Sequence, residues 1–214
     1  MLKKCTLIAV FLLLTSSVFA YEQGAMLLSP RIGFGINNTK IDDYDFPGVD
    51  RKLSMAWNIG LDFNYFFMDD LSFLTGLLYE SENISYKGSM PGIPEIGFPA
   101  TTVEADMDFS FITIPIGIRY FFSEYFLVGG GLYFGLSFNP TATVKIPGWG
   151  VNQSGDLEGV KNDFGLFVDL GGIYKLSEQG ALSAYIRFKQ GLKEIGGDTK
   201  TQTITLNFAY SFKF

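Results

Sequence analysis

Histidine is absent from all 214 residues, and its absence removes most hydrolytic chemistry at a stroke. A serine or cysteine nucleophile needs a base held at hydrogen-bonding distance, and histidine usually serves. No such pair or triad can be assembled, so we expect no enzymatic activity. The single cysteine, Cys5, stands at the very start of the chain, where it offers neither a disulfide nor a built thiolate site. The segment Asp42-Asp43-Tyr44-Asp45 supplies hard oxygen ligands suited to calcium, but it lacks the spacing of an EF-hand loop. Acidic surface loops are common, and we expect neither a metal nor a cofactor. What remains is charge set among apolar residues: Asp62, Arg119, Asp169, Arg187 and Lys189. Charges in such surroundings are tolerated when they pair with one another.

The elements that carry these charges read as strands. Runs rich in aromatic and β-branched residues, punctuated by turn signals, recur from end to end. They fall at 25–37, 54–67, 71–86, 107–122, 125–138, 163–175, 181–192 and 201–214. The last is the clearest for length: Gln202, Ile204, Leu206, Phe208, Tyr210, Phe212 and Phe214 alternate with Thr201, Thr203, Thr205, Asn207, Ala209, Ser211 and Lys213. A period of two puts these sets on opposite faces. Short polar connections (68–70, 123–124, 176–180) alternate with long ones at 38–53, 87–106 and 139–162, and a modest one near 193–200. Aromatics flank the short turns in a repeated layout: Tyr65-Phe66-Phe67 before Met68-Asp69-Asp70, and Tyr120-Phe121-Phe122 before Ser123-Glu124. Such aromatics suit a girdle at a membrane–water interface.

The N-terminus is basic (Lys3, Lys4), then apolar from Leu7 to Leu14, then small at Val18 and Ala20. This pattern predicts a signal peptide over 1–20, cleaved after Ala20, and a single domain over 21–214. Loss of the two lysines takes the formal charge from −6 to −8, which argues against a nucleic-acid partner. No later window is apolar enough for a membrane helix. A mature chain in a membrane must therefore be a closed barrel, because only helices and closed barrels satisfy every backbone polar group in lipid.

The charges decide which face meets lipid. On strand 54–67, Met55, Trp57, Ile59, Leu61, Phe63 and Tyr65 share one face; Asp62 lies on the other with Ser54, Asn58 and Asn64. Arg119, Asp169, Arg187 and Lys189 likewise fall opposite the large apolar sets of their strands. An Arg or Lys facing lipid at the midplane costs about 2–4 kcal/mol, so the charged face is the interior. Strand 71–86 is ambiguous: Glu80 favours even residues inside, whereas the repeat aligns Tyr79 with Tyr133, which reads as interior. The expected fold is all-β, an eight-stranded antiparallel up-and-down transmembrane β-barrel. Its narrow interior favours a lumen filled by Asp62, Asp169, Arg119, Arg187 and Lys189 over an open pore.

The stretches Ile112-Thr113-Ile114-Pro115-Ile116-Gly117-Ile118-Arg119-Tyr120, Gly129-Gly130-Gly131-Leu132-Tyr133-Phe134-Gly135, Asp163-Phe164-Gly165-Leu166 and Tyr185-Ile186-Arg187-Phe188 resemble the small outer-membrane β-barrel domain family of diderm bacteria, often labelled porin-family or PorT-like. The resemblance covers most of 22–214. It implies residence in a bacterial outer membrane and contact with its lipid, and it carries over no catalytic residues. It also implies that Tyr210, Phe212 and Phe214 form a C-terminal signal read by the barrel-assembly machinery. The leading expectation is a structural or surface-interaction barrel, with Tyr44, Phe46, Phe98 and Trp149 available to a surface ligand through the long loops. A narrow channel for small solutes and a soluble periplasmic carrier of the lipocalin kind are the alternatives.

Overall fold

The computed structural model describes residues 21–39, 49–52, 54–92, 99–122, 125–196 and 199–214. The predicted leader 1–20, the acidic Asp42, Asp43, Tyr44 and Asp45, the aromatics Phe46 and Phe98, and the turn at 123–124 lie outside the described residues.

Eleven strands are present among the described residues. They are β1 (Met26–Asn37), β2 (Val49–Arg51), β3 (Ser54–Met68), β4 (Leu71–Met90), β5 (Thr101–Phe121), β6 (Phe126–Ser137), β7 (Thr141–Ile146), β8 (Val151–Asp156), β9 (Asp163–Lys175), β10 (Gly180–Gly191) and β11 (Gln202–Lys213). Eight of them close a ring in the order β1, β3, β4, β5, β6, β9, β10, β11 and back to β1. Every neighbouring pair is antiparallel. The fold is an eight-stranded up-and-down barrel, and its strands exceed the 9–11 residues or so that a tilted strand needs to cross a bilayer. Tyr21 and Phe214, the first and last described residues, lie at the short-turn end.

Alternation sets the two faces. Along β3 the pattern runs buried for Ser54, Ala56, Asn58, Asp62, Asn64 and Phe66, and exposed for Met55, Trp57, Ile59, Leu61 and Tyr65. Outward side chains are large and apolar around the whole ring: Ile116, Leu166, Leu170, Ile186 and Phe208 are all exposed. A soluble protein seldom shows apolar surface on this scale, and a lipocalin-like carrier needs the reverse, an apolar lumen and a polar outside. The carrier alternative is thereby overturned.

The structure settles strand β4. Ser72, Leu74, Leu78, Glu80, Glu82 and Ile84 are buried inside, while Phe73 and Leu77 face out. Tyr79 faces out as well, its ring 5.3 Å from that of Trp57. The repeat-based alignment of Tyr79 with Tyr133 misled because an aromatic earns its place by two different means. Tyr79 packs on the outer face, and Tyr133 fills the lumen.

Two stretches expected as loops are largely sheet. The β4–β5 hairpin continues beyond the ring, pairing from Leu71↔Tyr120 to Met90↔Thr101. The segment 139–162 holds the β7–β8 hairpin, whose β7 pairs with the upper part of β5 from Asp108↔Thr141 to Glu104↔Lys145. Proline and glycine marked the breaks correctly but not their extent. Asn139, at φ 43°, and Pro140 turn the chain off β6, and Pro147–Trp149 form the 3-10 tip between β7 and β8. The sheet persists because it buries an apolar inner face, where Ile84, Phe109, Phe111 and Ile195 pack with Tyr86, Met107, Leu157 and Val160. Its outer face is polar. There Lys52 and Lys87 both reach Glu104 at 3.1 Å, and their hydrogen bonds hold its carboxyl below the usual glutamate range.

Candidate functional site: a layered polar lumen

Glycines on the inner face make the lumen possible. A Cβ added to Gly171 would stand 2.3 Å from the Cβ of Tyr185, and one added to Gly165 would stand 2.7 Å from the Tyr133 hydroxyl. Two large tyrosines therefore cross the narrow interior only because their neighbours carry no side chain. Tyr133 and Tyr185 are both almost fully buried.

The interior is filled in layers. At the short-turn end, Tyr21, Leu27, Phe66, Phe121, Leu127, Ile173 and Ala181 pack together beneath Tyr185. Tyr21 is held by the rings of Phe66 at 4.6 Å and Phe121 at 5.5 Å.

Above this plug lies the first charged layer. Asp169 accepts two hydrogen bonds from Arg187, Nε at 2.6 Å and Nη2 at 2.8 Å, and a third from Arg119 Nη2 at 2.9 Å. Asp62 accepts from the Tyr185 hydroxyl at 2.9 Å and lies 3.5 Å from both Arg119 and Arg31. Arg31 Nη1 also donates to the Tyr185 hydroxyl at 2.8 Å. The guanidinium of Arg119 stacks 4.9 Å from the Tyr185 ring, and that of Arg187 stacks 4.4 Å from the Phe167 ring. Bidentate pairing and stacking on aromatic faces are the arrangements in which arginine is best tolerated away from water.

Leu74, Tyr133 and Phe167 form an apolar layer next. The second charged layer follows. Lys189 Nζ lies 2.6 Å from Glu80 and 2.7 Å from Glu82, and Thr113 donates to Glu80 at 2.7 Å. Beside it, Asp163 Oδ2 accepts from Tyr133 at 2.9 Å and from Thr201 at 2.7 Å. The apolar cluster of Ile84, Phe109, Phe111 and Ile195 lies beyond.

Asp62, Arg119, Asp169 and Arg187 thus meet in one network, while Lys189 belongs to a different one. Sequence reading missed Arg31, left Glu80 and Glu82 undecided, and did not join Tyr133 with Asp163 and Thr201. The signal for Arg31 was present: Leu27, Ser29, Arg31, Gly33 and Asn37 alternate with Pro30, Ile32, Phe34 and Ile36, which places Arg31 inside. Among the described residues the nine buried charges comprise four cations and five carboxylates. The first layer carries three arginines against two aspartates; the second carries one lysine against three carboxylates. Among the described residues no group of His, Cys, Asp or Glu is arranged to hold a metal ion.

At the C-terminus, Phe212 and Phe214 face outward and are exposed. Tyr210 meets Phe212 edge to face at 4.6 Å, and Phe214 exchanges backbone hydrogen bonds with Met26. Trp149, at the hairpin tip, donates to the Pro99 carbonyl at 3.1 Å.

A family model described as an outer membrane protein β-barrel domain matches residues 6–212. No curated protein matches by sequence. Among solved structures, the chain is similar to Ail, the attachment invasion locus protein of Yersinia pestis, at 17% identity over 90% of this chain and 99% of that one, with a TM-score of 0.43. It is similar to OprG of Pseudomonas aeruginosa at 13% identity over 91% and 98%, with a TM-score of 0.45. Neisserial surface protein A is similar at 16% identity over 89% and 99%, with a TM-score of 0.48.

Proposed function

This chain belongs to the outer membrane protein β-barrel domain family and resides in the bacterial outer membrane, and from that premise we propose a non-conducting, non-enzymatic barrel that holds an interaction sheet above the membrane. The filled lumen carries the proposal. Two salt-bridged layers alternate with three apolar ones, and each layer spans an interior only wide enough for side chains. A conducting path needs a continuous polar route. Here Tyr185 and the aromatic plug close one end, and the cluster around Phe109 and Phe111 closes the other.

The part left to act is then the sheet formed by β2, the outer halves of β4 and β5, and β7 and β8. Short turns in such barrels face the periplasm and long connections face outward, so this sheet stands on the cell surface. Its polar outer face, rigidly anchored to the barrel, suits recognition of an external partner. We assign the removal of 1–20 as a signal peptide to the maturation of this domain, 21–214. We also assign Tyr210, Phe212 and Phe214, outward on the closing strand, to recognition by the barrel-assembly machinery.

Single-channel recording from the purified monomer in planar bilayers tests the reading. The expected record is silent. Large, steady openings would overturn the closed lumen and favour the narrow-channel alternative.

A further inference from the structure

The seam where the first strand meets the last is incomplete, and its outer side is grooved. Along β1 and β11 the pairing runs Leu27↔Lys213 and Leu28↔Phe212, then resumes at Arg31↔Ala209. The offset is unchanged across the gap, so no bulge explains it. Met26 and Phe214 exchange both of their backbone hydrogen bonds, at 3.2 and 3.1 Å. In an antiparallel ladder such pairs recur at every second residue, which makes Pro30 and Tyr210 the next pair but one. Proline has no amide hydrogen to give. The Tyr210 carbonyl therefore receives no ladder bond from β1, within the wall of a membrane barrel, where an unsatisfied backbone group is costly.

This carbonyl adjoins an apolar groove of about 770 Å³ on the outer face, floored by Pro30, Gly172 and Ala184 and bordered by Tyr125, Tyr174 and Tyr210. Small side chains interrupt the otherwise large apolar belt here. Tyrosines at this end of a barrel mark the level of lipid headgroups. The groove is thus an apolar trough with an acceptor at headgroup depth, continuous with the lipid-facing surface.

We propose that the groove is a binding site for one phospholipid of the periplasmic leaflet whose headgroup donates hydrogen bonds, above all an ethanolamine phospholipid. One acyl chain lies over Pro30, Gly172 and Ala184. The ammonium donates to the Tyr210 carbonyl in place of the missing amide. A choline headgroup fills the same trough but has no N–H to give.

Native mass spectrometry of the intact barrel released from detergent tests the site. Ethanolamine and choline phospholipids of matched chains are the probes. The wild type is expected to retain one ethanolamine phospholipid and to prefer it about fivefold, the worth of one hydrogen bond. Pro30→Ala restores the amide hydrogen, so the preference should vanish while binding of both lipids persists. Ala184→Phe fills the trough and should abolish retention of both; Ala184→Leu is the milder alternative, and heat-modifiable gel mobility shows that each variant is folded. Equal binding of the two lipids by the wild type overturns the headgroup assignment. Retention unchanged in folded Ala184→Phe overturns the site. A dimer that Ala184→Phe dissociates, with lipid binding intact, assigns the groove to a second copy and overturns the proposal.

Discussion

Replacing Asp169 with Asn removes the centre of the first charged layer while keeping its shape. Asp169 accepts three hydrogen bonds from two arginines, and all three side chains are nearly solvent-free. The substitution raises the layer from one excess positive charge to two. Removing one partner of a buried pair costs about 3–5 kcal/mol, because the other charge stays buried and uncompensated. Asp62 does not compensate: it lies 3.5 Å from Arg119 and no ion pair joins it to Arg187. The paired variant Asp169→Leu with Arg187→Met removes one charge of each sign and leaves the layer's balance unchanged. Apolar replacement of a whole buried pair is often neutral or stabilising, so the double variant should lie within about 1 kcal/mol of wild type. Reversible urea unfolding in lipid vesicles, followed by tryptophan fluorescence, measures both. Asp169→Asn at a cost below about 1 kcal/mol, the scale of a solvated pair, would refute a dry lumen, and so would a double variant no better than the single.

Four further outcomes follow from the structure. Lys189→Met leaves Glu80 and Glu82 with no cation between them, and should lower the unfolding free energy by about 3 kcal/mol or more. Lys52→Ala, at an exposed pair, should leave the midpoint unmoved. Gly171→Ala forces a Cβ to 2.3 Å from the Tyr185 Cβ and should cost about 1–3 kcal/mol or prevent folding, whereas Gly155→Ala, in open space, should do neither; heat-modifiable mobility separates the two. Phe214→Ser should lower the assembled fraction in outer-membrane preparations while the purified chain refolds in detergent as wild type does. Normal assembly in cells would remove Phe214 from the signal.

Much of this barrel is legible residue by residue because a strand has only two faces. Once Asp62, Arg119, Asp169, Arg187 and Lys189 are required to avoid lipid, parity assigns the rest of each strand, and Arg31 follows by the same rule. In the sequence strand β4 stays open between Glu80 and the aromatic repeat, and the structure sides with Glu80, since misplacing a charge costs more than misplacing a tyrosine. Parity is silent on height. Asp62 meets Tyr185 across 123 residues, and Lys189 meets Glu80 across 109. Those meetings depend on strand tilt and stagger around the closed ring, which no single strand encodes. The same holds for the surface sheet, whose extent comes from β7 finding the upper half of β5.

The period of two, the faces, the absence of histidine chemistry and the alternation of short and long connections are written into the residue order. These are local or compositional properties, carried by each segment without its neighbours. Only packing around the closed ring settles the two separate charge layers, the aromatic plug beneath Tyr185, the surface sheet and the gap in the ladder at the closing seam. Each of these depends on the register between segments far apart in the chain, and register exists only once the ring has closed.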